Sequence, residues 1–172
     1  MMFYDQQGDL HDSALTKNSS GKLEQCIIEN GKGIVMEGTG PEIYQSVVRN
    51  ISGSGISIRN AAVDITDCLI TKNSSPTNGG GIYTYGSQLV FLSNNKIINN
   101  TAGEDGGGIF AYGYRSNTAA NLVGNTVEGN LCKGDGGGVW ASRSSLSGNT
   151  ITGNTSHGNG GGVYVTFALV ED

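Results

Sequence analysis

Apolar residues recur in short clusters along most of this chain, and turn-forming residues separate the clusters. Residues 23–170 contain no window with the i, i+3, i+4, i+7 apolar spacing of an amphipathic helix. The segments between the clusters are rich in Asn, Ser, Thr, Asp and Gly, which tolerate left-handed backbone or hydrogen-bond to their own main chain. This pattern predicts many short β-strands joined by turns, without crossover helices.

Two apolar positions recur in every repeat. The first is occupied in turn by Leu23, Ile43, Ile65, Leu92, Leu122 and Leu146. The second lies three residues before an Asn, as in Ile70, Ile97, Val127 and Ile151 before Asn73, Asn100, Asn130 and Asn154. Ile27 and Val47 stand in the same relation to Asn30 and Asn50. The count predicts six repeats.

A triple glycine marks a third apolar position. The triplets begin at Gly79, Gly106, Gly136 and Gly160, spaced 27, 30 and 24 residues apart. Ile82, Ile109, Val139 and Val163 follow them. Recurrence at this period is typical of solenoids, in which each strand pairs in parallel with its equivalent one repeat later and crossovers are right-handed. The sequence predicts an all-β fold, a right-handed parallel β-helix of about six three-stranded coils.

The two ends of the chain differ from the repeats. Residues 1–22 are polar and do not repeat, so we expect a non-repeating N-terminal segment or a cap on the first coil. Residues 23–172 form the predicted β-helix. Residues 163–170 read as a strand with no following coil, and solenoids need capped ends. We therefore expect a piece of a longer protein, truncated at its C-terminal end.

Charge and composition exclude several classes of function. The chain has 10 Lys and Arg against 15 Asp and Glu, and the basic residues do not cluster, so no nucleic-acid partner is expected. No stretch approaches the roughly 18 apolar residues of a membrane helix, so this segment is not expected to insert into a membrane. Residues 1–5 are too acidic and polar for a signal peptide. The composition fits one soluble solenoid domain.

Asn residues are predicted to form two structural columns at the corners of the coils. One column holds Asn95, Asn125 and Asn149, and the other holds Asn73, Asn100, Asn130 and Asn154. Stacked at about 4.8 Å, their amides can hydrogen-bond to one another and to turn backbone. The alternative, a ligand-binding role, is not needed because turn chemistry accounts for these residues.

Acidic and amide side chains form another predicted column directly before the glycines. Its members are Asn78, Asp105, Asp135 and Asn159, with Glu104 beside it. Carboxylates one coil apart, Asp105 and Asp135, are weak candidates for a Ca²⁺ site. The favoured interpretation is that these side chains cap the turn into the glycines, so no cofactor is expected.

An aromatic residue follows each third apolar position. These residues are Tyr83, Phe110, Trp140 and Tyr164. If the preceding aliphatic residues point inward, strand alternation points the rings outward. We predict a binding column here, because exposed apolar patches mark binding sites and flat rings suit sugars or a protein partner. The alternative is that the rings are core or are covered by loops.

Two motifs connect these repeats with a known family. The first is the Gly-Gly-Gly-Ile or Gly-Gly-Gly-Val run, and the second is Leu-x-x-Asn, which ends at Asn95, Asn125 and Asn149 and has an altered copy ending at Cys68. Over residues 60–165 they resemble the Gly-Gly-Ala-Ile and Phe-x-x-Asn repeats of the polymorphic outer-membrane proteins, with Gly for Ala and Leu for Phe. Other surface proteins with parallel β-helix repeats look similar. The resemblance implies an exported, often adhesive protein located at the cell surface or outside the cell.

These observations favour a non-enzymatic β-helix segment of a cell-surface or secreted protein, adhesin-like, that binds a glycan or a host or cell-surface protein. The alternative is a polysaccharide lyase or glycoside hydrolase of the pectate-lyase-like β-helix type, and fold alone does not decide this. The sequence shows no close carboxylate pair at a strand position. His157 has no partner within the repeats for a catalytic triad. No catalytic residue is therefore assigned.

Overall fold

The structure, a computed structural model, describes residues 9–10, 21–86, 89–114, 120–167 and 169–171. Every pairing between its named strands is parallel, and no helix occurs within these ranges. The chain forms a right-handed parallel β-helix, as predicted. Of the predicted N-terminal segment, residues 1–8 and 11–20 lie outside the described ranges. β1 (Asp9–Leu10) pairs with a strand of the first coil.

The first two coils are short and carry three strands each. Coil 1 consists of β2 (Lys22–Glu24), β3 (Ile27–Glu29) and β4 (Ile34–Thr39). Coil 2 consists of β5 (Glu42–Tyr44), β6 (Val47–Arg49) and the first half of β7 (Ile56–Thr66). The 11-residue β7 continues around a corner, so its second half opens coil 3.

Coils 3 to 6 gain a fourth strand of two residues before each triple glycine. Coil 3 continues with β8 (Leu69–Thr71), β9 (Ser74–Ser75) and β10 (Ile82–Tyr85). Coil 4 consists of β11 (Val90–Ser93), β12 (Lys96–Ile98), β13 (Thr101–Ala102) and β14 (Ile109–Tyr112). The three-strand prediction is therefore incomplete for these coils.

The same four-strand plan repeats to the end of the described chain. Coil 5 consists of β15 (Ala120–Val123), β16 (Thr126–Glu128), β17 (Leu131–Cys132) and β18 (Val139–Ser142). Coil 6 consists of β19 (Ser145–Ser147), β20 (Thr150–Thr152), β21 (Thr155–Ser156) and β22 (Val163–Thr166). β23 (Leu169–Glu171) pairs with β19.

Equivalent strands stack into the faces of the solenoid. The first face contains β2, β5, the second half of β7, β11, β15, β19 and β23. The second face contains β1, β3, β6, β8, β12, β16 and β20. The third face contains β4, the first half of β7, β10, β14, β18 and β22, and the short fourth strands form a small sheet of their own.

The core is a set of vertical files of aliphatic side chains. On the third face, strand pairing aligns Ile34, Ile56, Ile82, Ile109, Val139 and Val163. All but the last are at most 1% exposed, and Val163 in coil 6 is half-buried. Each file buries its apolar surface against the coils above and below, which is how a solenoid stabilises itself.

The predicted register was wrong by one residue in the first two coils. Strand pairing aligns Ile28 and Val48, not Ile27 and Val47, with the buried Ile70. Asn30 and Asn50 consequently lie at an exposed left-handed corner, with φ of 59° and 55°. In coil 2 the position equivalent to Asn73 is occupied by Ile51, whose backbone N–H donates to Asn73 Oδ1. The spacing of three residues between an apolar residue and an Asn therefore did not identify the buried residue in these two coils.

Two separate structural requirements explain the triple glycine. In coil 4, Gly106 adopts φ of 66°, a left-handed conformation that Gly accepts without the strain of a Cβ. Gly107 does not need unusual dihedral angles, but a Cβ there would lie 2.3 Å from the carbonyl oxygen of Gly137 in the next coil. The triplet thus makes a turn and then lets successive backbones approach closely.

Candidate functional site

The third face carries bulk on its outer side. In coils 4 and 5, Ala111 and Ala141 point into the core and are fully buried, while the neighbouring Phe110 and Trp140 point outward. Strand pairing aligns Tyr83, Phe110, Trp140 and Tyr164, one from each of coils 3 to 6. We call these four residues the aromatic file. The structure therefore brings all four predicted residues together on the outside.

The rings of the aromatic file stack on one another. Ring centres are separated by 5.4 Å between Tyr83 and Phe110, 4.5 Å between Phe110 and Trp140, and 6.3 Å between Trp140 and Tyr164, with interplanar angles of 7°, 15° and 23°. Offset stacking at such distances is favourable for aromatic pairs. Phe110 is only 8% exposed although it points outward, because a neighbouring ring lies on each side of it.

Two further tyrosines widen the aromatic surface. Tyr85 and Tyr112 lie two residues further along β10 and β14, and their ring centres are 5.1 Å apart at an angle of 12°. Tyr85 is 43% exposed. The sequence analysis missed this pair, although the signal was present, since an outward side chain recurs two residues after an outward aromatic residue.

The aromatic file stops at Tyr83. In coil 2 the residue aligned with Tyr83 is Ser57, and in coil 1 it is Val35. The Arg59 guanidinium carbon lies 5.4 Å from the centre of the Tyr83 ring, within the range of a cation–π contact. Burial raises the pKa of Tyr83, an effect that the Arg59 charge partly offsets. The end of the stack is therefore a polar environment.

A groove of about 280 Å³ opens beside this end of the stack. It is lined by Ser54, Ser57, Arg59, Thr77, Asn78, Tyr83 and Glu104. Asn78 Nδ2 donates to Glu104 Oε2 at 3.0 Å, and Ser54 Oγ donates to the Asn78 carbonyl at 3.3 Å. We call it the Ser57 groove. Ser57 and Arg59 gave no sequence signal, because coil 2 has no triple glycine to set their register.

The two Asn columns are hydrogen-bonded ladders inside the corners. Asn95 Nδ2 donates to Asn125 Oδ1 and Asn125 Nδ2 donates to Asn149 Oδ1, both at 3.0 Å. The second ladder runs from Asn73 through Asn100 and Asn130 to Asn154, with equivalent bonds of 2.9–3.0 Å. Each Oδ1 also accepts a backbone N–H from the preceding coil, as Asn100 Oδ1 does from Asn73. Each of these amides is therefore hydrogen-bonded within the protein through both its oxygen and its nitrogen.

The acidic column before the glycines forms a third ladder. Asp105 Oδ1 accepts the backbone N–H of Asp135, and Asp135 Oδ1 accepts that of Asn159. Asn78 Oδ1 accepts the N–H of Asp105 in the same way. Within the described ranges no group of three or more His, Cys, Asp or Glu side chains is placed to hold a metal ion. One oxygen of each carboxylate thus already caps the next turn, and the suggested Ca²⁺ site stays a prediction.

The three cysteines are free and buried. Burial raises the pKa of the Cys68 and Cys132 thiols. Cys132 Sγ donates to the carbonyl of Gly134 at 3.2 Å, and Cys68 Sγ donates to that of Thr66 at the same distance. Thiols held protonated in this way are poor nucleophiles at neutral pH. They serve as small core residues.

The match to a known protein family agrees with the fold. The family of right-handed β-helix regions matches residues 13–168, and the chain belongs to it. The A-module of a mannuronan C-5 epimerase from Azotobacter vinelandii has a similar structure, with a TM-score of 0.44 and 18% sequence identity. That similarity covers 93% of this chain and 56% of the epimerase module. A comparison with curated protein sequences gave no match.

Across the residues that the structure describes, no helix is long and apolar enough to cross a bilayer.

Proposed function

We propose that this chain is a non-enzymatic, adhesin-like segment of a cell-surface or secreted protein and that it binds a glycan through the aromatic file and the Ser57 groove. The observation that carries the proposal is the inversion of bulk on the third face. Ala111 and Ala141 fill the core while Phe110 and Trp140 take the solvent side of the same strands. Stability alone favours large apolar side chains inside.

Local chemistry favours a glycan over a protein as the partner. The half-buried ring of Tyr83, at the end of the aromatic file, adjoins hydroxyl, amide, carboxylate and guanidinium groups in a single groove. Sugar rings present C–H surface to aromatic rings and hydroxyls to such polar groups, and binding sites commonly combine apolar walls with a few oriented polar groups. A protein interface of ordinary size needs about 800 Å² on each partner, which the groove alone does not supply.

The surface location is supported by the repeat motifs. The glycine and Leu-x-x-Asn motifs resemble those of the polymorphic outer-membrane proteins, which are exported and often adhesive. A net charge of −5 without basic clusters gives no support to a nucleic-acid partner. Solenoids present long, regular surfaces of the kind that extended ligands occupy.

A glycan array probed with the wild-type protein, Trp140→Ala and Phe91→Ala tests the proposal. Phe91 is 40% exposed on the first face, so its substitution is the matched control for removal of an exposed ring. We expect Trp140→Ala to weaken binding at least tenfold and Phe91→Ala to leave it unchanged, with circular dichroism confirming the fold of both. Wild-type protein that binds no glycan, or that releases a reaction product from one, would contradict the proposal.

A further inference from the structure

The Ser57 groove is the place of a missing ring. On the third face, positions aligned with Tyr83 hold an aromatic residue in coils 3 to 6, whereas coil 2 holds Ser57 and coil 1 holds Val35. Strand neighbours lie about 4.8 Å apart, so Val35 and Tyr83 are separated by about 9.6 Å along the axis. Carbon atoms make optimal contact at about 3.5–4.0 Å, which leaves room for one ring between them.

The volume also corresponds to one ring. Drug-sized ligands occupy pockets of roughly 300–1,000 Å³. The groove, at about 280 Å³, lies just below this range. It has space for a single sugar unit of a longer chain, whose other units would continue over the aromatic file.

Charges around the groove select among sugars. Arg59 and Glu104 both line the groove, which therefore offers N–H donors and a carboxylate. A sugar carboxylate would be repelled by Glu104, because like charges at short range are unfavourable. A neutral ring with neighbouring hydroxyls can instead donate to Glu104 and accept from Arg59.

We infer that the Ser57 groove is a subsite for one neutral pyranose unit, packed beside Arg59 at the Tyr83 end of the aromatic file and hydrogen-bonded to Arg59 and Glu104. This inference rests on the proposed glycan-binding function. It assigns the position of the first sugar and its class, neutral hexose and not uronate. Acidic polysaccharides are therefore excluded as preferred ligands.

Filling the gap with a ring is the sharpest test. Ser57→Tyr places a ring where the ligand would stack, next to Tyr83. We expect calorimetric titration with neutral hexose oligomers (gluco-, manno- and galacto-configured) to show at least tenfold weaker binding, while the thermal midpoint is unchanged or higher. Ser93→Tyr is the matched control, since Ser93 is a half-buried strand residue on the first face, and it should bind as the wild type does.

Removing the acid tests the sugar class. Glu104→Gln should gain at least tenfold in affinity for uronate oligomers and change by less than about threefold toward neutral ones, since one repulsive charge is lost and the hydrogen-bonding shape is kept. Wild-type protein that prefers uronates would overturn the assignment of class. Neutral-glycan binding that survives in Ser57→Tyr but is lost in Trp140→Ala would overturn the subsite alone, whereas a wild type that binds no glycan overturns the proposed function as well.

Discussion

Coils 1 and 2 and coils 3 to 6 solve the same packing problem in opposite ways. On the third face, Met36 and Ile58 fill the core of the early coils, and only Val35 and Ser57 lie outside them. In coils 3 to 5 the inner residues shrink to Thr84, Ala111 and Ala141, and large rings lie outside. The strands of the early and late coils pair in the same register. Backbone pairing therefore does not determine whether the large side chains lie on the inner or the outer side of the sheet.

The corners show a second contrast. At the corner that begins with Asn73, coils 3 to 6 each have an Asn side chain, which bonds to the neighbouring coil through both amide atoms. Coil 2 has the aliphatic Ile51 at the same position, and Ile51 is 2% exposed. An Asn in the ladder needs hydrogen-bond partners in the coils before and after it, whereas an aliphatic side chain at the corner needs only van der Waals contact. The ladder can therefore begin at Asn73, because Ile51 and Val48 offer it backbone partners.

The largest expected effect is the loss of a ladder member. Asn100→Leu keeps the size of the side chain but leaves the Asn73 N–H and the Ile70 carbonyl, both buried, without the Asn100 amide. With each orphaned group costing about 1–3 kcal/mol, we expect the free energy of unfolding to fall by about 4 kcal/mol. Chemical denaturation followed by circular dichroism measures this. Asn121→Leu, at an outward strand position, should change stability by less than about 0.5 kcal/mol.

The converse substitution sharpens the comparison of the corners. Ile51→Asn removes buried aliphatic surface but puts an amide within reach of Asn73, so we expect a cost of about 2 kcal/mol, near that of burying one aliphatic side chain. A cost larger than that of Asn100→Leu would show that the early coils do not accept a ladder.

Close backbone approach predicts an effect between those of these two substitutions. A Cβ on Gly107 would lie 2.3 Å from the Gly137 carbonyl oxygen, and rigid backbone cannot yield as a flexible side chain can. We expect Gly107→Ala to destabilise the protein by about 3 kcal/mol, at the upper end of the usual cost of overpacking. Gly161→Ala is the matched control in coil 6, where the nearest atom is the Asn154 carbonyl oxygen at 3.3 Å. Equal losses for the two variants would refute the steric explanation.

The smallest expected effect is a gain in stability. Thr84 stands in the inner file between Ile58 and Ala111, and its Oγ1 is buried with no hydrogen-bond partner among the described residues. Thr84→Val keeps the shape and removes the unsatisfied hydroxyl, so we expect a gain of about 1 kcal/mol in thermal or chemical denaturation. Ser75→Ala provides the contrast. The Ser75 hydroxyl donates to the Asn78 carbonyl, so its removal should lower stability. Destabilisation by Thr84→Val would mean that the hydroxyl has a partner after all.

Sequence periodicity was sufficient for the β-helix because each repeat is built from local signals. Turn residues, triple glycines and alternating apolar positions repeat at nearly fixed offsets, and their recurrence implies stacking of equivalent strands. The fold class and the alignment of Ile82, Ile109, Val139 and Val163 followed from these offsets alone. The register of coils 1 and 2 did not, since Ile27 and Ile28 are both apolar and only neighbouring coils decide which one is buried.

In coils 3 to 6 the sequence by itself also determined which residues share a column, because columns are a consequence of spacing. Only the tertiary structure decided what the columns do. It alone showed that Phe110 is enclosed by its ring neighbours, that Asp105 already caps the next turn, and that the aromatic file ends at Tyr83 beside Ser57 and Arg59. These properties depend on distances between side chains in different coils, and those distances are set only when the coils stack in the folded solenoid.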